Sequence, residues 1–249
     1  MTVEAILFDA GGTLIDPVEP VGETYFRMAR EFDRGLDPNT FEVEFRSAWG
    51  RLREDYRSSH PDLMTSEEME RDAWHRFTRR VAEPFDRLGA SHEEWLARLV
   101  DYFDRGSSWK KLPGVDELLA SLRRKGYRLA VVSNWHGILE EILRYHGVMG
   151  VVDVVLTSSQ VGRKKPHPLM FRSALERLDA SESATIHVGD SLEEDVAGAQ
   201  EVGIRPVYLQ REACCLETAP GVPVIRSMEE LWEVLWSEGK TKTEKAPNR

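Results

Sequence analysis

From residue 115 onward, short apolar runs alternate with amphipathic stretches, and this alternation restricts the possible folds more than any other feature of the chain. It predicts helices over 115–125, 138–146, 169–178, 192–202 and 228–238, and strands over 127–132, 151–156, 185–188, 206–209 and 222–225. Strand–helix units of this size connect by right-handed crossovers, which makes the strands parallel and places helices on both faces of the sheet. One more strand stands apart at the start, where Val3, Ala5, Ile6, Leu7 and Phe8 form an apolar run. Such a run suits a strand buried on both faces, and it stops at the loop Asp9-Ala10-Gly11-Gly12-Thr13. The expected class is α/β, a Rossmann-like parallel sheet sandwiched by helices.

Between the first strand and the alternating region, residues 20–104 show only helical stripes. These are Tyr25/Phe26/Ala29, Phe41/Phe45/Trp49/Leu52, Trp74/Phe77/Val81 and Trp95/Leu96/Leu99/Phe103. Aromatics at that spacing form the core of a bundle, so about four helices are expected as an insertion. The division is a core of residues 1–16 and 109–239, an inserted all-helical domain over 17–108 with hinges near 15–20 and 105–113, and a polar, frayed tail over 240–249.

Charge and composition exclude several partners. A net charge of −10 repels phosphate backbones, so no nucleic acid is expected. No apolar run approaches the roughly 18 residues of a membrane span, and Asp9 interrupts what would be the greasy part of a signal peptide. The protein is expected in the cytoplasm, without membrane association. Its two cysteines, Cys214 and Cys215, are adjacent, which suits free thiols better than a disulfide. No Cys or His spacing suggests a zinc site.

In a doubly wound sheet, ligands bind at the carboxyl ends of the strands. There the first strand presents Asp9, the 127–132 strand is followed by Ser133-Asn134, Lys164-Lys165-Pro166 follows the next, and Gly189-Asp190 closes the fourth. A carboxylate nucleophile, a hydroxyl, a lysine and a second acid form a plausible pocket for a phosphoryl group and a divalent cation. Blander roles exist for each: Asp9 as a turn former, Asp190 as a helix N-cap, Ser133 and Asn134 as turn residues.

These four positions, taken together and in order, resemble the haloacid dehalogenase superfamily of aspartate-nucleophile hydrolases, in the branch with a helical cap after the first motif. The first motif, Asp-x-Asp-Gly-Thr, lies on Asp9-Ala10-Gly11-Gly12-Thr13, the second on Ser133, the third on Lys165, and the fourth on Gly189-Asp190 through Asp195. The resemblance covers the chain except its tail. It implies that Asp9 attacks phosphorus to form an aspartyl-phosphate, with Mg²⁺ held by Asp9, the Gly11 carbonyl and Asp190. Lys165 would offset charge on Asp9 and the phosphoryl group, while Ser133, Asn134 and the amides of Gly11, Gly12 and Thr13 would bind phosphate. Asp195 would orient Lys165 or a metal-bound water. The implied substrate is a small phosphorylated metabolite.

The chain departs from the family pattern at Gly11, where the phosphatases carry the aspartate that protonates the leaving group. A positioned acid–base group contributes roughly 10²–10⁴ in rate, so alkyl esters are expected to turn over slowly, and acyl or aryl phosphates to suffer less. Two alternatives share this gap. One is a catalytically impaired binding or regulatory protein that keeps the fold. The other is a metal-independent 2-haloacid dehalogenase, although those enzymes resemble Ser-Ser-Asn at the fourth motif and carry Tyr where Gly11 stands. His136 is a candidate replacement acid, and Trp135 a candidate pocket wall. Glu193 and Glu194 read as an acidic first helical turn, Lys164 as a solvated neighbour, and His187 as a core histidine.

Overall fold

The central sheet is built from strands whose side chains are buried on both faces, which explains their lack of polar alternation. The computed structural model describes residues 3–211 and 220–239. Cys214, Cys215 and the 240–249 tail lie outside the described residues. The first strand, β1 (Ala5–Phe8), leads into β2 (Ile15–Pro17). Five helices follow: α1 (Val21–Phe32), α2 (Pro38–Ser59), α3 (Glu67–Ala82), α4 (Asp86–Ala90) and α5 (His92–Phe103). The chain then returns through β3 (Trp109–Lys111) to α6 (Val115–Arg124), β4 (Arg128–Ser133), α7 (Leu139–Tyr145), β5 (Val154–Thr157), α8 (Ser158–Val161) and α9 (Pro168–Leu178). It ends with β6 (Thr185–Gly189), α10 (Gly198–Glu201), β7 (Arg205–Leu209), β8 (Val224–Ile225) and α11 (Leu231–Gly239).

The six-stranded sheet has the order β5-β4-β1-β6-β7-β8, and every neighbouring pair is parallel. The expected α/β class holds. Alternate residues of β1 serve opposite layers. Ile6 and Phe8 pack with α6, α7 and α11, while Ala5 and Leu7 pack with α9 and α10. Each fully buried Leu, Ile or Phe contributes about 1.5–3 kcal/mol, so the strand that carries Asp9 is anchored on both sides.

The helices of residues 20–104 have a separate core, in which Tyr25 meets Phe45, Phe77 and Trp95 edge-on. Their ends are specified locally. Asp37 caps α2 by accepting from the Thr40 amide at 2.8 Å, with Pro38 in the first turn. Ser66 caps α3, whose first turn is acidic and last turn basic, as the helix dipole favours.

Two features depart from the sequence expectation. The crossing segments pair as an antiparallel ribbon of β2 and β3, with Ile15 opposite Lys111, strands too short to show a period. The single helix expected over 192–202 instead opens as a wide turn over Leu192–Ala197 before α10. In that turn the Val196 amide reaches back five residues to the Ser191 carbonyl at 3.1 Å.

Candidate active site

β1 sits between β4 and β6, so the loops leaving these three strands converge over one end of the sheet. The residue after β1 is Asp9, and its backbone amide continues the ladder by donating to the Val188 carbonyl at 2.9 Å. The centre of the cluster is Lys165. Its Nζ donates to Asp9 Oδ1 at 2.7 Å and to Asp195 Oδ1 at 2.6 Å, and all three residues are buried. The Ser133 hydroxyl acts on the Asp9 carboxylate as a further donor. Asp190 lies at the solvent-facing rim, and carboxylate oxygens of Asp9, Asp190 and Asp195 all fall within 4.8 Å of one another.

Burial of this group has electrostatic consequences. It pushes the Asp9 carboxyl above its usual range, opposed by Lys165 and reinforced by Asp195. Withdrawal from water, then the charges of Asp9 and Asp195, raise Asp190 to about 7. Burial would also raise Asp195, but Lys165 and a hydrogen bond with His187 overcome it and hold Asp195 well below the carboxylate range. The same carboxylates hold Lys165 above the usual lysine range against its own burial. Three acids against one lysine leave a deficit of positive charge at the rim, on the Asp9–Asp190 side.

Asp195 is not available as a ligand on that side, because it is already satisfied. It accepts from Lys165, from His187 Nε2 at 2.8 Å and, through Oδ2, from the Ser191 amide at 3.0 Å. The wide turn that follows Ser191 brings this carboxylate back beneath the sheet end. Ser191, not Asp190, caps that turn by accepting from the Glu194 amide at 3.1 Å, so the N-cap role considered for Asp190 does not apply. Asp9 and Asp190 are therefore the acidic pair able to hold a cation. Gly12 permits their approach: at φ +75°, a Cβ there would land on the Asp190 carboxylate.

Several expected phosphate contacts are otherwise engaged. The Gly12 amide donates to the Ile15 carbonyl at 2.9 Å and the Thr13 amide to the Ala10 carbonyl at 3.3 Å, closing the loop on itself. Thr13 is fully buried, and its hydroxyl has no partner among the described residues. The Asn134 side chain is also occupied. Its Oδ1 accepts from the Lys165 amide at 2.6 Å, and its Nδ2 donates to the Lys165 carbonyl at 3.0 Å and to Glu194 at 2.9 Å. Asn134 thus clamps the backbone of Lys165 instead of facing a ligand with its amide group.

Four further residues make contacts that the sequence did not reveal. His187 is a core residue that also hydrogen-bonds Asp195. Glu194 belongs to the Asn134 clamp, and Glu193 pairs with Arg57 of α2. Lys164 is not free in solvent: its Nζ is 2.7 Å from Glu70 and 4.1 Å from the centre of the Tyr56 ring. With Glu67 accepting from the Gly137 amide and the Ser159 hydroxyl, both at 2.6 Å, these contacts seat the helical block against the loops that carry the site.

Comparison with known proteins agrees with this geometry. The family model described as haloacid dehalogenase-like hydrolase matches residues 3–203. A mouse protein, haloacid dehalogenase-like hydrolase domain-containing protein 3, is 33% identical over 82% of this chain and 80% of its own length. Glyceraldehyde 3-phosphate phosphatase of Pyrococcus abyssi is 28% identical over 84% of this chain and 82% of its own. Among solved structures, the magnesium-bound putative hydrolase YfnB of Bacillus subtilis has the same fold, with a TM-score of 0.73 at 21% identity over 94% of this chain and 99% of its own. A match that runs from β1 past β6, and so takes in every strand end described above, establishes that the chain belongs to the haloacid dehalogenase-like hydrolase family.

Proposed function

We propose that the protein is a Mg²⁺-dependent phosphatase of small phosphorylated metabolites, working through an aspartyl-phosphate on Asp9. The observation that carries this reading is the Lys165 ammonium bridging Asp9 and Asp195 beside the Asp190 carboxylate at the rim. The residues fit a magnesium ion. The donors are hard oxygens, and their spacing suits two ligands at about 2.1 Å from one ion. Asp9, Asp190 and the Gly11 carbonyl would hold it. It would supply positive charge that offsets the like charges of Asp9 and the phosphoryl group.

Lys165 holds one oxygen of Asp9 and leaves the other to attack phosphorus. A bond forms between that oxygen and phosphorus as the bond to the leaving oxygen breaks, and the electron pair departs with the leaving group. Water then attacks phosphorus, the bond between Asp9 and phosphorus breaks, the protons of the water stay with the departing phosphate, and Asp9 is regenerated as a carboxylate. Ser133 and Lys165 are placed to receive charge developing on the phosphoryl oxygens. Gly11 offers no proton to the leaving group, so acyl and aryl phosphates are the preferred substrates. The block of α1–α5 acts as the cap that covers the pocket and selects the substrate.

The test is turnover of p-nitrophenyl phosphate and acetyl phosphate. Activity is expected with Mg²⁺, and loss with EDTA and in Asp9→Asn. Turnover that survives either change refutes the proposal. A second reading, a binding protein without turnover, draws support from Gly11 and from the Trp135 ring packed against it. It is favoured if neither substrate is hydrolysed. Chloride release from 2-chloropropionate without metal would instead indicate dehalogenation.

A further inference from the structure

The helical block holds a second convergence of ligand-type side chains, far in sequence from the strand-end residues. His75 projects from α3, while His92 and Glu93 open α5, and one ligand atom from each lies within 4.8 Å of the others. His75 Nε2 is 2.9 Å and His92 Nδ1 3.3 Å from the same oxygen, Glu93 Oε1. The two rings are not stacked but meet edge-on at 88°, with centroids 4.9 Å apart.

The far side of His92 meets a threonine hydroxyl. Thr78 Oγ1 lies 2.9 Å from His92 Nε2, and also 3.0 Å from the Trp74 carbonyl and 3.2 Å from the His75 carbonyl. With the Thr78 proton on the carbonyl one turn back, as is usual for a helical threonine, the hydroxyl accepts from His92 Nε2–H. His92 Nδ1 is then a lone pair, and it faces a carboxylate oxygen. Two acceptors at 3.3 Å are brought together by a cation or by a shared proton. A neutral imidazole that donates one N–H to a supporting oxygen and turns its lone pair toward a carboxylate has the arrangement of a metal-ligating histidine.

We propose that His75 Nε2, His92 Nδ1 and Glu93 Oε1 form a binding site for a divalent transition metal of the Zn²⁺ class, which ties α3 to the start of α5. Bonds of about 2.0–2.1 Å place neighbouring donors of a tetrahedral site about 3.3 Å apart, close to the 2.9 and 3.3 Å that separate Glu93 Oε1 from His75 Nε2 and His92 Nδ1. Two imidazoles select Zn²⁺, Co²⁺ or Ni²⁺ over Mg²⁺, which keeps this site distinct from the all-oxygen pocket of Asp9 and Asp190. His92 is buried, while His75 and Glu93 reach solvent, leaving a path for the ion and room for water as the fourth ligand. Arg79 opposes a cation here, but it is exposed and screened by water.

The experiment uses full-length protein without a histidine tag, stripped with chelator and supplied with excess Mg²⁺. It is titrated with Co²⁺ by visible absorption and with Zn²⁺ by calorimetry. The expected result is one equivalent of Co²⁺ with the strong visible bands of four-coordination, displaced by Zn²⁺. Binding should weaken at least about tenfold in His75→Ala and in Glu93→Gln, with unchanged circular dichroism, and persist in Asp9→Asn/Asp190→Asn. Absence of the Co²⁺ bands overturns the proposal, since a proton then bridges His92 and Glu93. Equal affinity in both helical-block variants, or loss only in the Asp9/Asp190 variant, overturns it as well.

Discussion

The Trp135 indole occupies the space beside Gly11: a Cβ built at Gly11 would lie 3.1 Å from Cζ3 of that ring. Trp135 is in turn held by Trp109, with ring centroids 4.8 Å apart. The residue that follows the second strand-end motif therefore crowds the first atom of any side chain placed at position 11.

Restoring the acid in Gly11→Asp alone should thus raise turnover of an alkyl phosphate by less than about tenfold. Gly11→Asp/Trp135→Ala, which makes room for the carboxylate, should raise it by about 10²-fold or more. The comparison is of kcat/KM for the two variants on glycerol phosphate. A full gain in the single variant would show that Trp135 yields freely.

Lys165 is the buried counter-ion of two buried carboxylates. Lys165→Met should destabilise the protein by about 3–5 kcal/mol at pH 8, because the carboxylates lose their partner. Without the ammonium, both acids titrate higher in the folded protein than in the unfolded chain. The loss should therefore shrink as pH falls toward 5 and they take up protons. Urea denaturation at the two pH values measures this.

Asp190, pushed up to about 7, makes metal binding and pH interdependent. Its folded pKa lies above the unfolded one, so its stabilising effect is present at low pH and lost as pH rises through about 7. Added Mg²⁺ should raise Tm more at pH 8 than at pH 5.5, and Asp190→Asn should remove most of that difference. Thermal scans with Mg²⁺ or EDTA at both pH values test the sign.

Asn134 holds both the amide and the carbonyl of Lys165. Asn134→Ala should cost about 1–3 kcal/mol of stability and lower kcat about tenfold while changing KM little, since the ammonium is displaced and no substrate contact is removed. A KM effect larger than the kcat effect would instead place the side chain on the substrate.

The strand that ends in Asp9 was legible because a strand buried on both faces must be apolar throughout, and its last residue faces the loop side. The same reasoning located Ser133, Lys165 and Asp190, each at a strand end or in the loop after one. The β2–β3 ribbon was not legible, because three residues per strand do not establish a period. Nor was the wide turn at Leu192–Ala197, since the sequence there has ordinary helical spacing and Asp195 turns it by bonding Lys165, His187 and the Ser191 amide.

By itself, then, the sequence determined the layered α/β architecture, the helical insertion and the strand-end positions of four candidate site residues. Those follow from periodicity and turn chemistry, which are local. Tertiary structure decided which polar groups are free to act. Asn134 and Glu194 are 60 residues apart and Lys165 and Asp9 are 156 apart, and each pair meets only after the sheet assembles. A hydrogen bond uses up a donor wherever its partner comes from in the chain. Only the folded arrangement could therefore turn the Asn134 side chain to Lys165 and Glu194 and bring His187 to Asp195, whereas the Gly12 and Thr13 amides are taken up by a local turn.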